Sequence, residues 1–513
     1  MYNNGIDHMN VLLQRITAVL RSRVFFWTVV AFVVVEAAWV ACTAVYPMAF
    51  DEDFHLGLIQ VYATHWLPFL GGQPPQADMF GAVARDPSYL YHYLMSFPYR
   101  VLAHLTDSLT VQVVVLRLLN VGMFAAGVGL FGRVLRRAGV GAGLTNVSLA
   151  VFALIPIVPQ LAGQINYDNV LLPLLAIECL LVFRLTDAAR QRRVDVAAFG
   201  WLLGTCCLAS LVKYAVLPID AAVAAWVLWV LGRAFGWRAR DCARAARASW
   251  QTLRAWTRVG LVTFVLVGAG LFAQRYVVNI VQYHNITPDC KVVLSLDECS
   301  QYAPWNRNYL YAQYRDDTSF SRNPIIYSGQ WVYWLWYRLF FVINGPASGF
   351  VNYPPLPLPS HAALVVGVLG LGAAAWYGRR IARSHPRLAF LLLVSGVYIV
   401  SLWLDDYRQY LQTGQPVAIN GRYLLPVLLP LAAGLGLSLR LATAGREWTR
   451  PVLAAVVLAL FLQGGGVAGF ILRSDASWDW PNAAVVRANN GARRVLSPLV
   501  WEGDKYYDSA LWY

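Results

Sequence analysis

Residues 24–46 read VFFWTVVAFVVVEAAWVACTAVY, and the chain then turns to Asp51-Glu52-Asp53-Phe54-His55. The first stretch holds one charged residue, Glu36, in 23 positions. An α-helix of about 20 apolar residues crosses a ~30 Å hydrocarbon core. Three consecutive acids just beyond it must return to water. The junction therefore predicts a membrane-crossing helix that delivers a carboxylate cluster to one bilayer surface.

The apolar pattern recurs. Ten further runs lie at 111–132, 143–161, 167–186, 197–213, 215–232, 259–280, 361–378, 388–404, 423–439 and 452–472. The runs 197–213 and 215–232 form one stretch divided at Lys213-Tyr214, because a lysine is costly at bilayer depth and acceptable at an interface. Composition agrees. The 513 residues are 58% hydrophobic, 14% aromatic and 13% charged, whereas soluble domains carry about 25% charged residues. This excludes a soluble globular enzyme, a disordered chain and a coiled coil. The 20 Trp and 27 Tyr suit aromatic belts at two interfaces. The expected fold class is an all-α polytopic membrane protein with about eleven transmembrane helices and a long first extracytoplasmic loop.

Charge sets the expected orientation. With the N-terminus in the cytoplasm, the inside segments hold 24 basic residues against five acids, and the remaining 17 basic residues face 20 acids elsewhere outside the spans. The net charge of +14 then follows from the positive-inside rule and calls for no nucleic-acid partner. Residues 1–23 read as the lead of an uncleaved signal anchor. The transmembrane domain is expected over 1–472, with extracytoplasmic loops 47–110 and 281–360, and a short extracytoplasmic tail over 473–513. Short inside loops and arginine usage point to a bacterial inner membrane. The inside loop 233–258 alternates Arg with Ala and Trp, which reads equally as an amphipathic helix on anionic headgroups or as an orientation marker.

Several polar groups share the outer side. Among Asp51, Glu52 and Asp53, packed like charges raise one carboxyl pKa and make a general base. The same acids offer oxygen ligands to a divalent cation near Asp51 and Asp53, and a solvated helix exit looks the same in sequence. Arg85 and His92 offer phosphate contacts, and Tyr89 and Tyr91 offer faces for a sugar, although an interfacial belt gives that pattern too. Asn166, Asp168 and Asn169 occupy a tight turn, where they bind a polar headgroup or cap the next helix. Lys213 is a functional candidate or a snorkelling residue. Arg422, beside Tyr423, suits a bidentate phosphate contact; as a mere flanking charge it would oppose the positive-inside trend. Glu36 and Glu178 lie within spans and read as hydrogen-bonded inside the bundle. Cys290 and Cys299 sit in a polar loop on the oxidising side, which predicts a disulfide, and Asn285-Ile286-Thr287 is a glycosylation sequon. The sequence has no Walker motif, no zinc-type spacing, no GxSxG and no dinucleotide fingerprint.

In their order and common side, these pieces resemble the GT-C class of integral-membrane glycosyltransferases, which includes protein mannosyltransferases and lipid A aminoarabinose transferases. The resemblance rests on Phe50-Asp51-Glu52 with His55 after the first span, and on Pro87, Tyr89 and Tyr91. It continues through Asn166-Tyr167-Asp168-Asn169-Val170-Leu171-Leu172-Pro173, Leu211-Val212-Lys213-Tyr214 and Gly421-Arg422-Tyr423-Leu424-Leu425-Pro426. It covers residues 24 to about 440. It departs from the class in its third acid, Asp53, and in reading Asp86-Pro87-Ser88 where relatives carry Lys-Pro-Pro or His-Pro-Pro.

The resemblance implies a polyprenyl-phosphate sugar donor and a lipid, glycan or protein acceptor, with membrane lipids as surroundings. It implies inverting displacement with Asp51 or Asp53 as base, and Arg422, Lys213, Arg85 and His92 on the donor phosphate. Glu52, His55, Tyr89, Tyr91, Asn166, Asp168, Asn169 and Tyr423 would line the substrate. It implies no obligatory cofactor. A transporter or flippase for a lipid-linked glycan, and a non-catalytic assembly subunit, are the rival expectations.

Overall fold

The computed structural model describes residues 2–48, 51–69, 71–317, 320–340, 356–417, 419–474 and 476–501, with side chains from residue 11 onward except at 317 and 476. Phe50, part of the second long loop (341–355) and the end of the tail (502–513) lie outside the described residues. Among the described residues the chain is all-helical, and its only β contact is a single bridge between Ala44 and Asp479.

The helices run in the order α1 (Tyr2–Arg21), α2 (Arg23–Thr43), α3 (Glu52–Ala63), α4 (Leu90–Leu105), α5 (Leu109–Arg137), α6 (Ala142–Ala153), α7 (Ile157–Ala162) and α8 (Asp168–Arg190). Next come α9 (Val196–Val212), α10 (Leu217–Phe235), α11 (Ala239–Thr252), α12 (Ala255–Phe272) and α13 (Val278–Tyr283). The second long loop holds α14 (Cys290–Val293), α15 (Leu296–Ser300), α16 (Ala303–Gln313) and α17 (Pro324–Phe340). The last group is α18 (Leu358–Ser384), α19 (Pro386–Thr413), α20 (Leu425–Ala442), α21 (Thr449–Phe461), α22 (Gly466–Arg473) and α23 (Ala483–Leu496).

Nine segments among the described residues are long and apolar enough to cross a membrane. They are Arg23–Thr43, Leu109–Arg137, Asp168–Arg190, Tyr214–Phe235, Ala255–Tyr283, Leu358–Ser384, Pro386–Thr413, Gly421–Ala442 and Thr449–Arg473. The chain is a multi-pass membrane protein. Two of the eleven expected runs are shorter helices. Run 197–213 becomes α9, started by the Asp195 side chain accepting from Ala198 N at 2.9 Å and ended at Lys213. Run 143–161 breaks after Ala153, where Pro156 and Pro159 supply no backbone N–H, and resumes as the short α7.

A second break, in the run 452–472, meets the first. Gly466 N donates to Leu154 O at 2.8 Å, so each interrupted helix satisfies the other where water is scarce. Gly466 has φ +59, and a Cβ there would lie 2.0 Å from Glu36 Oε1. The same Glu36 oxygen accepts from Val467 N at 2.8 Å. Glu36 thus caps a broken helix inside the bundle.

The segment after residue 472 packs onto the end of α2. Val45 N donates to Trp478 O at 2.7 Å, and Trp480 N donates to Thr43 O at 2.9 Å. Arg493 holds Asp479 at 3.3 Å and Ile471 O at 2.8 Å, both inside the protein.

The same end of α2 is clamped by Glu52 and Arg117, both fully buried. Arg117 Nε and Nη2 donate to the two Glu52 oxygens at 2.8 and 2.6 Å. Its remaining donors reach Ala41 O, Ala44 O and Val45 O. Glu52 also accepts from Met48 N and Ile165 N, at 2.9 and 3.1 Å. Removing one partner of such a pair strands a buried charge, at about 3–5 kcal/mol. Arg117→Leu is therefore expected to lower the apparent melting temperature in detergent sharply, and Glu52→Leu with Arg117→Leu to recover part of the loss. Equal losses in the single and double variants would overturn this assignment.

Candidate functional site

The functional candidates collect where α3, α8, α9 and α20 begin or end. Asp51 precedes α3 with φ +69, a left-handed conformation that Asp tolerates better than most residues. Its Oδ2 accepts from Arg422 Nη2 at 2.5 Å; the Asp51 side chain is 54% exposed and that of Arg422 6%. Arg422 is held in a short 3-10 turn, where Asn420 Oδ1 accepts from its backbone N at 3.1 Å. Gly421 makes that turn fit, since a Cβ there would lie 2.6 Å from Leu339 N in α17.

A second ion pair lies alongside. Lys213, where α9 stops, donates to Asp168 Oδ1 at 2.7 Å, and both are buried. The Lys213 ammonium sits 4.7 Å from the Tyr167 ring and 4.9 Å from the Tyr423 ring. The Arg422 guanidinium lies 5.4 Å from the same Tyr423 ring. Two cations thus share one aromatic ring, each with its own carboxylate. Burial pushes the Lys213 ammonium below its usual range against the opposing pull of Asp168.

His55 and His92 form the floor. Their Nδ1 and Nε2 atoms are 2.9 Å apart, and both rings are buried. The His55 ring meets Tyr167 edge-on at 4.7 Å. Burial lowers the His92 pKa to about 3 and holds His55 well below its ordinary value, helped by His92, Arg422 and Lys213. Both are neutral at pH 7, so His92 brings no positive charge to a phosphate.

The other expected site residues separate by position. Asp53 is exposed, and its carboxylate accepts from Phe54 N at 2.9 Å. Glu52 is spent on Arg117. Tyr91 donates to Asn120 Oδ1 at 2.9 Å. Asn169 Nδ2 donates to Asn120 Oδ1, Leu161 O and Gln164 O, while Asn166 Oδ1 accepts from Asp168 N at 2.9 Å. Tyr91, Asn166 and Asn169 are buried, with Asn166 Nδ2 and Asn169 Oδ1 left without a hydrogen-bond partner. Arg85 and Tyr89 belong to a neighbouring cluster around Arg275. Arg85 donates to Gly71 O at 3.2 Å. Arg275, buried in a π-helical turn, donates to Ala84 O and lies 4.4 Å over the Tyr89 ring.

One part of the second long loop packs beside the site. Cys290 and Cys299 are bonded to each other, and Tyr302 follows three residues later. Its ring packs 5.9 Å from Phe54 and rests against Gly81. Burial first, then the Asp86 and Asp51 carboxylates, push the Tyr302 phenol pKa up. Sequence reading missed Arg117 and Tyr302 as part of this region, and quoted Tyr167 within the turn motif without a role. Arg117 carried a signal, an arginine inside an apolar run.

The one set of three potential metal ligands among the described residues lies elsewhere, at Glu178, Cys206 and Asp220 on α8, α9 and α10. Both Glu178 oxygens are buried without a hydrogen-bond partner.

No protein-family model, curated protein or solved structure matches the chain. The site is therefore read from its own chemistry.

The histidine pair makes a pH prediction. His92 takes up a proton near pH 6.5 when unfolded and near pH 3 when folded. Between these values the unfolded chain binds more protons, so stability falls as pH falls. At pH 5 the loss is about 2 kcal/mol for this group alone. The apparent melting temperature should drop from pH 7 to 5, and His92→Asn should flatten that slope. An unchanged slope in His92→Asn would refute a buried neutral His92.

Proposed function

We propose that the chain is a glycosyltransferase of the GT-C type that moves a sugar from a polyprenyl-phosphate donor to a lipid, glycan or protein acceptor. The observation that carries this reading is the Asp51–Arg422 pair beside Lys213 on the shared Tyr423 ring. It sets an accessible carboxylate next to two cations at the mouth of the bundle. On this reading α6–α7 and α9 also span the membrane, giving about eleven crossings. The arginine-rich end is then cytoplasmic, the site is extracytoplasmic, and the membrane is the bacterial inner membrane.

The chemistry balances without a cofactor. Arg422 and Lys213 take the donor phosphate, and Arg422 in doing so releases Asp51. Asp51 accepts the proton of an acceptor hydroxyl or amine. The acceptor atom bonds to the anomeric carbon as the carbon–oxygen bond to phosphate breaks, and polyprenyl phosphate leaves with the electron pair. Cations placed where charge grows lower the barrier, and losing one such contact typically costs about 10²–10³ in rate. A single displacement inverts the anomeric centre. A divalent cation near Asp51 and Asp53 is an optional addition, and no nucleic acid is involved.

One observation favours a second reading, an ion-coupled flippase for a lipid-linked glycan. Glu178, Cys206 and Asp220 form a polar cluster inside the bundle, and intramembrane ionisable groups mark transport paths. A non-catalytic assembly subunit is the third.

The test supplies polyprenyl-phosphate sugars and a lipid or glycan acceptor extract to protein in nanodiscs and follows released polyprenyl phosphate by mass spectrometry. Wild type and Asp53→Asn should release it. Asp51→Asn and Arg422→Gln should fall by at least about 10². Release independent of Asp51 would remove the assigned base. No release from any donor, with labelled lipid crossing proteoliposomes, would replace the enzyme by the flippase.

A further inference from the structure

At the end of the bundle opposite the site, two helices present matched faces. Arg133, Arg136 and Arg137 stand at i, i+3 and i+4 in the last turns of α5, which places them on one side of that helix. Ile177, Leu180, Leu181 and Arg184 follow the same spacing on α8. The helices pack together, and these residues line a groove of about 480 Å³. That lies within the range of small-ligand sites. Its rim is arginine and its floor is aliphatic.

The rim is short of negative charge. Arg184 pairs with Asp195 at 2.8 Å. No acid pairs with Arg133, Arg136 or Arg137 among the described residues. Arg136 stacks 4.4 Å over Phe26 and bonds Gly132 O at 3.0 Å, so its position is fixed. Arg133 and Arg23 are close enough to repel it. Held this near one another, like charges favour an anion that bridges them. The floor limits which anion. Ile177 is 36% exposed and sits mid-helix on α8, so the groove opens from the basic rim along an apolar lipid-facing wall. A free polyanion would leave that wall bare, whereas a phospholipid fits phosphate to arginine and chains to aliphatic side chains.

We infer that this groove between α5 and α8 is a binding site for the phosphodiester headgroup of an anionic phospholipid, with its acyl chains along Ile177 and Leu180. Guanidinium groups suit phosphate oxygens bidentately, and basic pockets between transmembrane helices are a recurrent form of lipid recognition. The inference is independent of the transferase reading, because it uses none of the residues at the opposite end.

The test measures lipid retained by the purified full chain through stepwise delipidation, by native mass spectrometry. The probes are phosphatidylglycerol, cardiolipin, phosphatidylcholine and inorganic phosphate. Wild type should hold phosphatidylglycerol or cardiolipin at least about tenfold more tightly than phosphatidylcholine. Millimolar inorganic phosphate should not displace it. Arg133→Gln with Arg137→Gln should lose the preference, while Arg379→Gln with Arg380→Gln, which removes equal charge from exposed positions on α18, should keep it. Equal binding of anionic and zwitterionic lipid by wild type would overturn the site even if the groove variant fails to fold. Equal loss in both double variants would reduce the effect to net charge, and displacement by phosphate would make the groove an anion site without lipid specificity. Either result also overturns the inference.

Discussion

The Glu52–Arg117 pair fixes the framework on which the site stands. It is enclosed in the protein, where separating two charges from water is expensive. That cost is offset only if the remaining donors and acceptors find partners, and here they do. Arg117 gathers three carbonyls from the end of α2, while Glu52 gathers two amides, one from the segment after α2 and one from the turn before α8. One pair therefore joins α2, the first turn of α3, α5 and the turn before α8. Asp51 immediately precedes Glu52, so its carboxylate stands beside a fixed point, and Arg422 meets it from the 3-10 turn before α20 at 2.5 Å.

Neighbouring acids thus take different roles, and sequence spacing could not assign them. Asp51, Glu52 and Asp53 have the same chemistry and one shared context. Which of them turns inward is set by where α3 begins and by the left-handed conformation at Asp51. The partner that selects Glu52 lies 65 residues away in α5. Arg117 was nonetheless legible as an oddity, a guanidinium in an apolar run. The crossings themselves were more readable, because hydropathy over about 20 residues is a local property. The two runs that shortened contained their own reasons. Pro156 and Pro159 interrupt one, and Asp195 and Lys213 bound the other. The cap that Glu36 places on the break at Gly466 was not readable, since it depends on two helices separated by more than 400 positions.

The site drew together residues from four distant stretches that the sequence had singled out: Asp51 with Arg422, Lys213 with Asp168, and Tyr423 near both cations. It left others out for physical reasons. Tyr91 and Asn169 bond Asn120 in the core, and Asn166 accepts from the Asp168 backbone. Arg85 and Tyr89 gather around Arg275, whose place depends on a π-helical turn. Tyr302 reached the site through a disulfide-braced loop and long-range packing, for which no local pattern exists.

The two ends of the bundle treat charge in opposite ways. At the site, each cation has a carboxylate of its own, so the cluster balances before any ligand arrives. An incoming anion there must exchange with a carboxylate rather than simply add. Such exchange couples binding to the release of a base, and Asp51, the more exposed partner, is the carboxylate it would release. At the other end, Arg133, Arg136 and Arg137 are crowded and share no acid among the described residues, so an anion there adds to a standing excess of positive charge. An added anion neutralises and stays, and an exchanged one leaves a reactive group behind. On the proposed reading, that difference makes one end suited to turnover and the other to a resident lipid.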